Sequence, residues 1–216
     1  MTRADFHIHT EHSPDSVLAV RSLVRRCEAK GLGLIAVTDH NSLDGALEAR
    51  ELADFPVIIG EEVTTADGEL TGLFLTEAIP RGLSGVETAR RIKAQGGLVS
   101  IPHPFDVFRR NVISPQALPE VVKLADIVEG FNARNTFASA NARARHLAAS
   151  AGLPVTAVTD SHTAIEVGRA YTELDIDEVS PQGLLAALAS ARLTERPITP
   201  LIHLLTTATK LHKRLF

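Results

Sequence analysis

Short apolar runs alternate with longer amphipathic ones along the whole chain, and most of the apolar runs end in a His, Asp or Glu. Ala4 to His9, Leu34 to Thr38, Val57 to Thr64, Leu98 to Ile101, Ile127 to Phe131 and Val155 to Thr159 read as strands, rich in branched residues. The Asp67-Gly68 turn signal leads into Leu70 to Leu75 as a hairpin partner, and Tyr171 to Leu174 reads as a further strand. Between them lie helical patterns. Val20, Leu23, Val24 and Cys27 recur at i, i+3, i+4 and i+7, and Lys30-Gly31 ends that helix. Leu43 to Ala53, Val86 to Gln95, Ala138 to Ala151 and Ser180-Pro181 onward to about Ala191 follow the same logic. Ser114-Pro115 opens another helix, expected to run to about Ala125. Such alternation predicts βαβ units and a mainly parallel sheet, which closes more naturally into one barrel than into two domains. We expect a single α/β barrel over 1–195 and a C-terminal tail over 196–216, apolar and then basic, packed as a helix on the barrel's outside.

Composition removes several function classes. The formal charge of −4 leaves no globally basic surface for nucleic acid. No stretch approaches the roughly 20 apolar residues of a membrane span, and MTRADFHIHT lacks the apolar run of a secretory signal, so a cytoplasmic protein with no membrane partner is expected. Cys27 is the only cysteine and sits at an apolar helix position, which fits core packing and excludes a thiolate metal site.

What the alternation delivers is a set of polar clusters, each after the C-terminal end of a strand. His7 and His9 are two apart, so in a strand they reach one ion together. The following loop adds His12 and Asp15. Later clusters carry Asp39 and His40, Glu61 and Glu62, His103 between two prolines, Glu129 and Asn132, and finally Asp160 with His162. Adjacent glutamates face opposite sides of a strand, and parity alone does not choose between Glu61 and Glu62. Singly, each cluster has an ordinary structural explanation: Asp39 fits a helix cap, and His40 a surface histidine. In a β/α barrel, however, the strand ends converge on one face, which is where active sites lie. Histidine and carboxylate without thiolate suit zinc, manganese or iron, and so many ligands exceed what one zinc ion uses, so two or three divalent ions are expected.

The ensemble His7-x-His9-Thr10, Thr38-Asp39-His40, Gly60-x-Glu62, His103-Pro104 and Asp160-x-His162 resembles the polymerase and histidinol phosphatase superfamily, the PHP domain, over roughly Ala4 to Leu174. The resemblance implies a distorted seven-stranded, TIM-like β/α barrel with a trinuclear metal site. It implies that His7, His9, Glu62 and Asp160 hold one ion, that Glu62 bridges to a second also bound by His103, and that Asp15, His40 and His162 hold a third. Many members carry another histidine after the strand equivalent to Ile127–Phe131. This chain has Glu129 and Asn132 there, so Glu129, Asn132 or water would complete the second ion's shell.

Hydrolysis of a phosphate mono- or diester by metal-bound hydroxide is the implied activity, with Glu62 and Asp160 at its centre and His12 as a candidate proton donor whose alternative is a surface role. Arg134, Arg169 and Arg109 follow site strands and are candidates to bind phosphate. The substrate would be a small-molecule or nucleotide phosphoester, or an oligonucleotide. Two other readings stand beside this one: a metal-dependent hydrolase of C–N bonds, as in amidohydrolases, and a catalytically silent metal-binding domain. No lysine ends a strand, which counts against an amidohydrolase site built on a carbamylated lysine.

Overall fold

The computed structural model describes residues 1–199 and, beyond them, Ile202, Thr206, Thr209 and Lys213. Its parallel strands are β1 (Thr2–Asp5), β2 (Leu34–Val37), β3 (Val57–Thr65), β5 (Leu98–Ile101), β6 (Ile127–Asn132) and β7 (Val155–Val158). Helices α1 (Val20–Lys30), α2 (Asp44–Leu52), α3 (Gly85–Ala94), α4 (Leu118–Val122), α5 (Ala138–Ala151) and α6 (Pro181–Leu188) lie between or after the strands. Three further strands, β4 (Gly68–Leu73), β8 (Tyr171–Leu174) and β9 (Arg192–Thr194), run antiparallel to their first-named neighbours. Among the described residues the sheet therefore has nine strands, in the order β7-β6-β5-β4-β3-β2-β1-β8-β9, which corrects the expectation of seven. β4 is inserted between β3 and β5 as their antiparallel partner, and β9 is a three-residue edge too short to show any alternation.

The sheet nearly closes, and it does so unevenly. At its upper end the chain beyond β1 meets the chain beyond β7: Ile8 bridges Ser161, the His9 amide donates to the Ser161 carbonyl at 2.9 Å, and the Asp160 amide to the His7 carbonyl at 2.9 Å. At the lower end β8 lies against β1, and the Thr172 hydroxyl fills the seam by bonding the Ala157 amide and carbonyl.

Strand alternation sorts the core. Leu34, Ala36 and Ile58 join Leu73, Leu98, Ile127 and Val158 in an inner cluster closed by Leu184, Ala187 and Leu188 of α6, whereas Ile35, Val37, Val57 and Ile59 face α1 to α5. Each fully buried Leu, Ile or Val among them contributes about 1.5–3 kcal/mol. Cys27 is buried in the outer layer as expected.

Among the boundaries that differ from the sequence reading, three are shaped by specific contacts. β1 stops at Asp5 rather than His9; Phe6 joins the inner cluster but Ile8 the outer one, so alternation breaks just before the first site histidine. α4 spans only 118–122, because the Ser114 hydroxyl accepts the Ala117 amide in a turn that delays the helix. α3 gains a Ser84 cap that accepts the Glu87 amide. In the tail, the Ile198 amide bonds the Ala133 carbonyl, and Ile202 is buried. Thr206, Thr209 and Lys213 are helical and three to four residues apart, hence on one face. The rest of the expected tail helix lies outside the described residues.

Candidate metal centre

Every polar cluster read from the sequence lies at the upper end, and specific contacts aim it. Asp5 staples the seam beneath the centre: its carboxylate accepts the Thr159 amide at 3.1 Å, the Thr159 hydroxyl, and the His7 amide at 3.4 Å. Burial lifts its pKa to about 7, although the Thr159 and His7 contacts pull downward. Asp39 does not cap α2. Its oxygens accept the Thr10 amide and hydroxyl, both at 2.6 Å, and the Ser13 hydroxyl at 2.7 Å. Ser13 in turn meets His9 Nδ1 at 3.1 Å and so fixes the ring. Gly45 at the start of α2 lets this brace form, since a Cβ there would collide with Asp39 Oδ2 and Thr10 Oγ1.

On β3 the glutamates divide. Glu62 shares parity with Ile58 and enters the centre, while Glu61 points away and accepts the Ile79 amide at 2.8 Å. On β6, Glu129 and Asn132 are three apart and would face opposite sides of a regular strand. Between Glu129 and Phe131 the register slips by one residue against β7, a bulge that turns both inward. Gly130 is the extra residue, and a Cβ on it would sit 2.8 Å from Val155 Cβ. Asn132 Nδ2 then donates to Glu129 at 2.9 Å and to Asp160 at 3.1 Å. His103 and Asp160 have φ of 28° and 55°, a region that side-chain-bearing residues seldom adopt and that costs of order 1–3 kcal/mol. Both strained residues point into the same cluster.

Two sets of donor atoms result. In the deeper set, His7 Nε2 and His9 Nε2 are 2.9 Å apart, Glu62 Oε2 is 3.4 and 3.3 Å from them, and Asp160 Oδ1 is 3.8 and 3.4 Å away. Towards the rim, Asp15 lies 3.4 Å from both His40 Nε2 and His162 Nε2, and His40 Nδ1 is 3.2 Å from Glu62 Oε2. His103 Nε2 contacts Glu62 Oε1 at 3.0 Å. Ligands about 2.0–2.2 Å from a tetrahedral ion stand about 3.4 Å from one another, so these separations fit shared ions. Glu62 Oε2 and Asp160 Oδ1 are buried and have no hydrogen bond among the described residues, although imidazole nitrogens surround them. Second ring nitrogens are oriented as metal-ligating histidines require: Glu129 holds His7 Nδ1 at 2.5 Å, and the Asp160 carbonyl lies 2.8 Å from His162 Nδ1.

The electrostatics follow from burial and crowding. Burial works against a charged His7, yet Glu129, Asp160 and Glu62 raise its pKa well above the ordinary value. Burial likewise opposes the charge on Asp160, yet Arg109, His7 and His9 hold its carboxyl well below the usual range. His162 is pushed down to about 3 by burial, Arg134 and His9, and is a neutral nitrogen donor. Buried carboxylates pulling protons onto imidazoles make a field that divalent cations would satisfy.

All eight expected ligands, His7, His9, Asp15, His40, Glu62, His103, Asp160 and His162, are brought together. The other expected residues divide. His12 is exposed and meets Glu48 at 3.1 Å. Arg169 is exposed on the loop before β8, and its amide bonds the Glu166 carbonyl. Arg134 is buried, contacts His162 Nδ1, and lies 3.4 Å from Glu166 and 3.1 Å from the Thr206 hydroxyl. Arg109 enters the centre and contacts Asp160 Oδ2. Sequence reasoning missed Glu69, which groups with His40 and Glu62 from β4. It also missed the bracing by Asp5 and Ser13. No periodicity marks these residues, because their partners are distant in the chain.

The PHP domain model matches residues 5–112, and the PHP-associated model matches 138–193. An uncharacterized protein of Methanocaldococcus jannaschii is 35% identical over 198 residues, covering 86% of this chain and 78% of its own. A second from that organism is 43% identical over 116 residues, 48% of this chain and 68% of its own. A two-domain protein from Bacteroides vulgatus, described as containing a predicted PHP-like metal-dependent phosphoesterase, shares the fold at a TM-score of 0.75 and 20% identity. That match covers 90% of this chain, which spans 65% of the Bacteroides one. With the strand-end ligands converged as the motifs require and the family match spanning half of the chain and more, this chain belongs to the PHP family.

Proposed function

We propose that the chain is a metal-dependent phosphoesterase acting on a small-molecule or nucleotide phosphate mono- or diester, with an oligonucleotide as the larger alternative. One observation carries the reading: seven histidine and carboxylate side chains converge around Glu62 with the Arg109 guanidinium on the same wall. Zinc, manganese or iron ions bound there would supply Lewis acidity and a water activated near neutral pH. The chain's own residues do the rest. His7, His9, Glu62 and Asp160 would hold one ion, and Asp15, His40 and His162 another, with Glu62 touching both sets. Glu129 and Ser13 keep the rings aimed, and the buried strand ends exclude bulk water. Arg109 would face the phosphate oxygens, which a guanidinium binds through paired donors. Arg134 is held beside His162 by its pairing with Glu166 and adds positive charge to that side of the centre. The description of the Bacteroides relative points to the same chemistry.

Among the described residues, cleavage of C–N bonds through a carbamylated lysine finds no support, since Lys30 ends α1, Lys93 pairs with Asp126, Lys123 with Glu120, and Lys213 with backbone carbonyls. The test is elemental analysis together with a hydrolysis screen on one sample: an aryl phosphate, nucleotides, a short oligonucleotide and C–N substrates. Asp160→Asn and His40→Ala variants are the controls. Bound metal with phosphoester turnover lost in both variants is the expected result. Metal-loaded protein that cleaves only C–N bonds, or nothing, would overturn the phosphoesterase reading.

A further inference from the structure

The donors around Glu62 are spent unevenly. Of the overlapping donor groups, the one made by His7, Glu62 and His103 shares His7 with the deeper set. That leaves it Glu62 Oε1 and His103 Nε2, 3.0 Å apart and in contact with each other. Two protein donors fall short of the three or four that hold such an ion. Side chains that could complete the shell are committed: Glu69 groups with His40 and Glu62, and its Oε1 accepts Asn111 Nδ2 at 3.1 Å. Glu129 meets His7 Nδ1 through Oε1, and through Oε2 it accepts the His103 amide at 3.0 Å and Asn132 Nδ2 at 2.9 Å. Asn132 gives its Nδ2 to Glu129 and Asp160, and its Oδ1 accepts the Arg134 amide at 3.0 Å. Asp160 is divided as well: Oδ1 faces His7 and His9, while Oδ2 carries Asn132 Nδ2 and Arg109 Nη2. Arg109 also lies 3.4 Å from Asp106, and Glu62 and Glu69 both act on its charge.

A guanidinium stays charged at any working pH. Held on Asp160 beside Glu62, it supplies the positive charge that a further ion would supply, and it repels one. We propose, resting on the metal-centre reading above, that this chain holds two divalent ions and that Arg109, seated by Asp160 and Asn132, takes the place of a third. The two ions are those of the deeper set and of the Asp15, His40 and His162 set. His103 then orients Glu62 instead of serving as the core of its own site.

Metal stoichiometry tests this without recourse to activity. Wild-type protein, stripped, reloaded with excess Mn²⁺ and desalted, is expected to retain two ions per chain by elemental analysis. The double variant Arg109→Gln/Asn132→His removes the guanidinium and adds an imidazole beside Glu62 and His103; it is expected to retain three. Near-UV circular dichroism checks its fold, and the wild-type count decides alone if it does not fold. Three ions in the wild type would overturn the substitution while leaving the metal centre standing, as would a folded double variant that stays at two. No ions in the wild type would bring down the metal centre and the substitution together.

Discussion

The deeper and the outer halves of the centre are built differently. His7, His9, Glu62 and Asp160 are fully buried; the chain at His7 and His9 pairs with the chain at Asp160, and Glu62 bridges His40 across the strand ends. His40 and Asp15 are each 13% exposed; Asp15 stands on a loop and meets His40 and His162, while the Ser13 hydroxyl accepts the His40 amide at 3.0 Å. A donor on a paired, buried strand is fixed by the sheet, whereas one on a loop is only as fixed as its braces. The deeper set should therefore hold its ion more tightly, and the outer set should exchange first and admit substrate. Glu62 touches both halves through its carboxylate, with His9 and Asp160 also reaching His162.

That contrast can be broken at its shared point. Glu62→Gln is expected to remove metal from both sets and to lower hydrolysis roughly 10³-fold or more, as the loss of several kcal/mol of transition-state stabilisation implies; metal content and turnover measured on one preparation check it. A variant keeping its full metal content would refute the shared role. Next in size is Glu129→Gln, which leaves every proposed ligand in place but weakens the carboxylate that aims His7. Metal affinity of the deeper set should fall about 10–100-fold, with the outer set unchanged, in competition against a chelator. Gly45→Ala acts on the brace between the halves: its new Cβ meets Asp39 and Thr10. Overpacking of this kind costs about 1–3 kcal/mol, read as a fall in Tm, and an unchanged Tm would mean that α2 shifts freely.

The smallest effect is expected in pH dependence. Burial alone would lower the His40 pKa, but Glu62 and Asp15 raise it from 6.5 to about 9. In metal-stripped protein this group binds its proton more tightly when folded. Its stabilisation is present in full below pH 6.5 and is lost as pH rises through about 9. With ions bound the sign reverses, because ligation needs neutral imidazole and weakens as pH falls. Thermal melts of stripped and loaded protein between pH 6 and 9 should slope in opposite directions, and parallel slopes would sink the outer-set assignment.

The bulge on β6 shapes the wall of the centre. It places Asn132, rather than a histidine, against Asp160, and it leaves Arg109 to approach the same carboxylate oxygen. Among the described residues no helix is long and apolar enough to cross a membrane. The described tail residues reach the site face, where Lys213 donates to the Glu11 and Ser13 carbonyls at 2.7 and 2.8 Å and Thr206 meets Arg134. We propose that 1–195 forms the barrel proper and 196–216 a tail, of which the described Thr206 and Lys213 meet these loops.

The sequence by itself determined the alternation of strand and helix, the sheet's parallel core and the residue types at each strand end. Those depend on local periodicity and on the rule that parallel strand ends share a face. Only the tertiary structure decided how many strands join the sheet, since β9 is too short to carry a pattern. Parity alone left Glu61 and Glu62 open, and the resemblance chose Glu62; the structure gives the physical reason, because parity becomes a direction only once neighbouring strands fix which side is inside. It turned Asp39 from a helix cap into a brace and carried Arg134 and Arg109 to the centre while leaving Arg169 in solvent. Each of these outcomes rests on a contact between residues far apart in the chain, and such a contact has no period from which to be read.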